Sequence, residues 1–189
     1  MNVELVNFMN DEDAIVKYAR ICYGREDTDN KEGLITTLIK NGHTSVFEHS
    51  VFTFKIKCPI YTARQWMRHR MGSYTEKSLR YTKPEEYDVP SFSSQEMTHT
   101  YNAYMKTVYK IYELFLSSEK KEDARAILPL STMTEFYWTV NARSLMNFLK
   151  LRLDLHAQDN IRQMANDVLN IFREKMPVTC RLLEEELNI

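Results

Sequence analysis

An α+β fold is what this 189-residue sequence predicts, and three observations carry the prediction. Ser50 to Cys58 alternates cleanly, with Phe52, Phe54, Ile56 and Cys58 on one face and Val51, Thr53, Lys55 and Lys57 on the other, the period of a strand. Thr132 to Val140 is dense in aromatic and β-branched residues and reads as a second good strand. Around these two runs, apolar residues recur at helical spacing, and the chain holds only four glycines. Its length fits one domain over 1–189, and an apolar content of 43% is enough for a core.

Taken in order, Val3 to Met9 reads as an opening strand, and Asn10-Asp11 supplies the N-cap of a helix whose apolar face is Ala14, Ile15, Tyr18, Ala19, Ile21 and Cys22. Gly24 to Asn30 is polar punctuation. A helix from Lys31 to Lys40 follows, stopped by Asn41-Gly42. His43 and His49 flank Glu48 in a loop, but the spacing is not that of a metal-binding helix, so no metal is expected. After the strand at Ser50 to Cys58, Pro59 opens an amphipathic helix from Ile60 to Met71, which places Arg70 on its apolar arc. Ser73 to Tyr81 is a loop or short extended segment presenting Glu76, Ser78 and Arg80 to one side.

Lys83 to Gln95 is a surface loop of the kind that serves as a lid, and Thr98 to Ser117 is a long helix whose aromatic stripe is expected in the core. Lys120 to Leu128 is a short charged helix carrying Arg125. From Asn141 a helix buries Leu145, Phe148 and Leu149, and i, i+4 steps from Phe148 aim Arg152 and His156 inward. Two amphipathic segments, Gln158 to Lys175 and Pro177 to Leu187, close the chain.

A net charge of −1 and a pI near 6.5 argue against general nucleic-acid binding, which needs a basic stripe. Three widely spaced cysteines form neither a disulfide framework nor a thiolate metal site, and neither a membrane span nor a secretion leader is visible. The expectation is a cytoplasmic protein without membrane contact. Within this balanced chain, Arg64 to Tyr81 packs four arginines, a histidine, a glutamate and two serines into eighteen residues. With no glycine-rich phosphate loop, an anion would be held by arginine forks, foremost Arg68, Arg80 and Arg125, and a surface ion-pair network explains the spacing equally well. Glu76, Arg152 and His156 suit orienting or electrostatic roles, and no cysteine or serine sits in a nucleophile's setting.

Arg68-His69-Arg70, followed after seven residues by Ser78, resembles the signature of the flavin-dependent thymidylate synthases, the ThyX family. The likeness extends through Thr62-Ala-Arg-Gln-Trp66, Leu79-Arg-Tyr81, Gly42-His43, Phe47-Glu-His49, Ala124 to Leu130, Phe136 to Leu149, Arg152 and His156-Ala-Gln158. It implies a small, mostly antiparallel sheet packed against several helices, assembling as a homotetramer with shared active sites. It also implies methylation of dUMP to dTMP with methylenetetrahydrofolate as carbon donor, FAD as cofactor, NADPH as reductant and no attacking cysteine. By position, Gln65, Arg68, Glu76, Ser78, Leu79, Arg80, Arg125 and Arg152 would contact dUMP, with Arg152 polarising the pyrimidine. Ser45, Arg68, His69, Arg70, Glu76, Asn141, Arg143 and Asn147 would contact FAD. One departure is Leu79, where many members carry a smaller residue.

Overall fold

A computed structural model describes residues 1–24 and 30–189. The punctuation expected from Gly24 to Asn30 falls mostly on 25–29, outside the described residues. Four strands, β1 (Asn2–Met9), β2 (Val51–Pro59), β3 (Ser73–Glu76) and β4 (Met133–Asn141), form one sheet in the order β1-β2-β4-β3, with every neighbouring pair antiparallel.

The alternation in β2 and β4 does what a period of two requires. Phe52, Phe54, Ile56, Phe136, Trp138 and Val140 all point to one buried face, with Phe54 opposite Trp138 and Ile56 opposite Phe136. The other face is polar: Thr53 and Thr139 meet hydroxyl to hydroxyl at 3.0 Å, and Lys55 pairs with Glu135 at 3.4 Å. One face packed and one solvated is the usual lot of an antiparallel sheet.

The helices are α1 (Glu12–Arg20), α2 (Lys31–Lys40), α3 (Ile60–Trp66), α4 (Gln95–Leu116), α5 (Lys121–Ala124), α6 (Ala142–Arg152), α7 (Asp159–Lys175) and α8 (Pro177–Leu187). Short 3-10 turns occupy Ile21–Tyr23, Ser45–His49 and Arg125–Ile127. Helices α3, α6 and α7 cover the apolar face. Trp66 lies 5.4 Å from Trp138 and 4.7 Å from Phe148, ring centre to ring centre, and Phe172 of α7 meets Phe52 at 5.7 Å. At the far side of the helical layer, the buried carboxylate of Glu12 accepts hydrogen bonds from Thr179 N at 2.6 Å and Thr179 Oγ1 at 2.8 Å, capping the first turn of α8.

Several expectations need correcting. Helix α3 ends at Trp66 rather than Met71. Tyr74 shares its hydroxyl proton between the carbonyls of His69 (2.7 Å) and Trp66 (3.2 Å), and the pairing of β3 with β4 takes the chain away. Gly72 makes that exit possible, because a Cβ there would sit 2.7 Å from Trp138 Nε1. Arg70 is therefore on no apolar arc, and Met71 is exposed.

His156 is likewise not inward. Helix α6 stops at Arg152, and the His156 side chain is 97% exposed against Asp154. In α4 only Met105, Val108 and Tyr112 are buried; Met97, Tyr104, Ile111, Leu114 and Phe115 face outward, so the expected core stripe is only partly core. The helix expected from Lys120 to Leu128 is a single turn, α5, followed by the 3-10 turn. As for the lid, the loop before α4 is pinned along its first half: Pro84 is buried, Tyr87 bridges Thr132, and Tyr61 donates to the carboxylate of Asp88.

Candidate active site

Asn141 is both the last residue of β4 and the N-cap of α6, its Oδ1 accepting from Ser144 N at 2.9 Å. That single residue sets the rotation of α6. Leu145, Phe148 and Leu149 turn into the core, and Arg143, Asn147 and Leu151, spaced by four, form an outward stripe. The backbone leaving α3 supplies the facing wall, Arg68 to Met71. Between them lies an open cleft of about 680 Å³, edged also by Glu48 and Arg152. Arg143 is held by Glu48 at 2.5 Å, whereas Arg68, Arg70 and Arg152 have no ion pair among the described residues.

Arg152 is half-buried, and the partners that hold it among the described residues are neutral. Its Nε donates to His69 Nε2 at 2.9 Å, and its Nη2 donates to the Gln65 carbonyl at 3.0 Å. Burial pulls the Arg152 pKa below its ordinary value. Burial and then the Arg152 charge pull His69 down to about 4, so the imidazole is neutral at pH 7. The His69 ring stands edge-on to Phe148 at 4.9 Å. A cation desolvated without a carboxylate is costly, and its electrostatic reach is correspondingly long.

A second group of the expected residues gathers elsewhere. Glu76 Oε1 accepts from Thr134 Oγ1 at 2.7 Å and borders a shallow pocket with Lys77 and Glu135. Ser78 Oγ accepts from Arg80 N at 3.3 Å, and Leu79 lines a small pocket with Lys57, Glu86 and Met133. Arg80 pairs with the Glu122 carboxylate at 3.1 Å while Arg125 Nε donates to the Glu122 carbonyl at 3.2 Å, so the two arginines do converge. They converge away from the cleft. Glu76 sits opposite Phe136, five residues before Asn141 on β4, or about 17 Å along the strand.

Ser45 occupies a third place, a pocket with Tyr18 and His49, although Glu48 of the same turn reaches the cleft. Gln65 borders the cleft group through its carbonyl, and its amide Nε2 donates to Gln158 at 2.5 Å. The wall from Arg68 to Met71 and the group around Glu76 thus stand apart within a single chain. Sequence reasoning missed Glu48 as the partner of Arg143, Glu122 as the clasp on Arg80 and Arg125, and Gln158 as the partner of Gln65. Glu48 and Gln158 stood inside the resembling motifs, but partners 95 and 93 residues distant leave no local signal.

Residues 4–178 match the family model described as thymidylate synthase complementing protein, Thy1. The flavin-dependent thymidylate synthase of Thermosipho africanus is 43% identical over 200 residues, covering 94% of this chain and 88% of that one. Its counterpart from Thermotoga neapolitana is also 43% identical, covering 94% and 88%. Among solved structures, the UMP/dUMP methylase PolB from Streptomyces cacaoi, bound with 5-Br dUMP, superposes with a TM-score of 0.91 at 31% identity, covering 98% of this chain and 94% of PolB. With its antiparallel sheet, its helical layer and these matches over nearly the whole length, the chain belongs to the Thy1 family, the flavin-dependent thymidylate synthases.

Proposed function

We propose that this chain, acting as one domain over 1–189, methylates dUMP to dTMP with methylenetetrahydrofolate as carbon donor, FAD as hydride carrier and NADPH as reductant. The observation that carries the reading is Arg152, a half-buried cation aimed by neutral groups at a cleft edge, in a chain whose relatives are named for this reaction. The cleft fits a flavin dinucleotide in its donor set. Arg68 and Arg70, without an ion pair among the described residues, offer guanidinium forks for a pyrophosphate, and Asn141, Arg143, Asn147 and His69 offer polar groups along its length. Bound there, the flavin supplies the hydride; the protein's own part is electrostatic and positional.

Carbon 5 of a uracil ring becomes a useful nucleophile only when negative charge on the ring is stabilised, and Arg152 suits that. Arg80 and Arg125 suit the nucleotide phosphate, with Glu122 giving way to it, and Glu76, Ser78, Leu79 and Gln65 complete the dUMP set. Neither buried cysteine suits an attacking thiolate: burial pushes Cys58 and Cys180 up to about 12. The separation of the Glu76 group and Ser45 from the cleft, together with the outward apolar face of α4, supports a homotetramer whose sites draw on several subunits. No helix among the described residues is long and apolar enough to cross a membrane, and cysteine usage supports a cytoplasmic setting.

The test is direct. Purified protein should be yellow and should convert dUMP to dTMP with NADPH and methylenetetrahydrofolate, product mass distinguishing a methyl from a hydroxymethyl group. A colourless protein that neither binds FAD nor forms dTMP would sink the reading.

A further inference from the structure

A guanidinium has five N–H donors in one plane, so two fixed partners on one edge determine both its position and its tilt. In Arg152 both contacts fall on the Nε–Nη2 edge, to His69 Nε2 at 2.9 Å and to the Gln65 carbonyl at 3.0 Å. Nη1 and the outer end of the fork carry no partner among the described residues. The two partners are themselves immobilised. The Gln65 carbonyl belongs to the last turn of α3, and His69 is held by Tyr74 at its carbonyl (2.7 Å) and by the Phe148 edge at its ring (4.9 Å).

A cation cannot donate to a nitrogen that bears a proton. The contact therefore demands that His69 Nε2 be bare, which in a neutral imidazole puts the proton on Nδ1. A histidine otherwise read as a cofactor contact acquires a second task that depends on a single lone pair.

We propose that His69 is a positioning residue for Arg152, its unprotonated Nε2 aiming the free end of the guanidinium at the pyrimidine. This rests on the proposed function only for its activity readout; the contact itself is testable in the ligand-free protein. Proton–nitrogen correlation NMR at pH 7 should show His69 as the Nδ1–H tautomer and an Arg152 Nε–H that exchanges slowly with water. His69→Gln, whose amide oxygen can stand in for Nε2, should keep the slow Arg152 signal, and His69→Leu should lose it.

In turnover, His69→Leu should lower kcat roughly 10- to 100-fold, the scale of a catalytic group misplaced by about an ångström. FAD affinity should also fall, since His69 lines the cleft, but by a smaller factor than kcat because Arg68 and Arg70 still face it, and His69→Gln should recover most of the lost kcat. An Nε2–H tautomer, an imidazolium at pH 7, or equal losses in the Gln and Leu variants would overturn the proposal, as would a loss of FAD binding that accounts for the whole loss of rate. Should His69→Leu fail to fold, the wild-type tautomer and the His69→Gln signal still decide. If the wild-type protein forms no dTMP, the proposed function fails while the NMR result still stands or falls alone.

Discussion

Glu12 and Arg152 are both drawn out of solvent, and the fold treats them differently. Glu12 is buried against the first turn of α8, where Thr179 satisfies it with a backbone N–H and a hydroxyl. Arg152 is half-buried against a carbonyl and a neutral imidazole, with no anion in reach among the described residues. A buried charge given complementary partners is architecture; one given only neutral supports is held ready for a ligand that brings the opposite charge. Removal should therefore hurt different observables.

The largest effect is expected at Arg152. Arg152→Met should lower kcat for dTMP formation by roughly 10² to 10³, the range for losing one transition-state donor, while the melting temperature holds or rises. A variant that unfolds instead, with turnover per folded molecule intact, breaks the contrast. Next is Glu12→Ala, which orphans two buried donors and should destabilise by about 3 kcal/mol in urea unfolding, with kcat unchanged well below the transition. Glu12→Gln, which keeps an acceptor, should cost about half of that.

A smaller effect is expected from acid. His69 is pulled down to about 4 from an ordinary 6.5, so between those values the unfolded chain binds a proton that the folded chain refuses. The His69 contribution to stability is thus intact above pH 6.5 and declines as pH falls toward 4. Urea midpoints across that window should fall more steeply for wild type than for His69→Gln; parallel curves would remove this support for a neutral His69. Smallest is Glu122→Gln, which releases Arg80 from an exposed ion pair. Pairs of that kind contribute at most about 1 kcal/mol, so KM for dUMP should drop by no more than about fivefold. A rise in KM would mean that Glu122 positions Arg80 for the phosphate rather than competing with it.

The same contrast measures what was legible in the sequence. Strand β2 could be read from alternation, because its register makes burial nearly periodic, and β4 from its density of aromatic and β-branched residues. Helix α6 could be read because Asn141 caps it, and the Arg68 to Arg70 wall because the motif is contiguous. The end of α3 was not legible. Met67 and Met71 prolong its apolar pattern, and what stops it is a hydroxyl on Tyr74 and an indole on Trp138. Glu12 looks in sequence like an ordinary acidic residue in a helix's first turn. Its burial is decided by residues far along the chain, as is the removal of Glu76 to Arg80 from the cleft, which follows from β3 running antiparallel down β4.

The pairing of Glu12 with Thr179 spans 167 residues, which makes it a matter of timing as well as of stability. On a ribosome extending at roughly 5–20 residues per second, α1 emerges some ten to thirty seconds before the helix that will cover its carboxylate exists. Until then that acid must stay in water, so α1 cannot settle against α2 and the Ser45–His49 turn in its final form. The contact acts as a latch that only a finished chain can close, and nascent chains halted short of α8 are the ones that chaperones and proteases should find open.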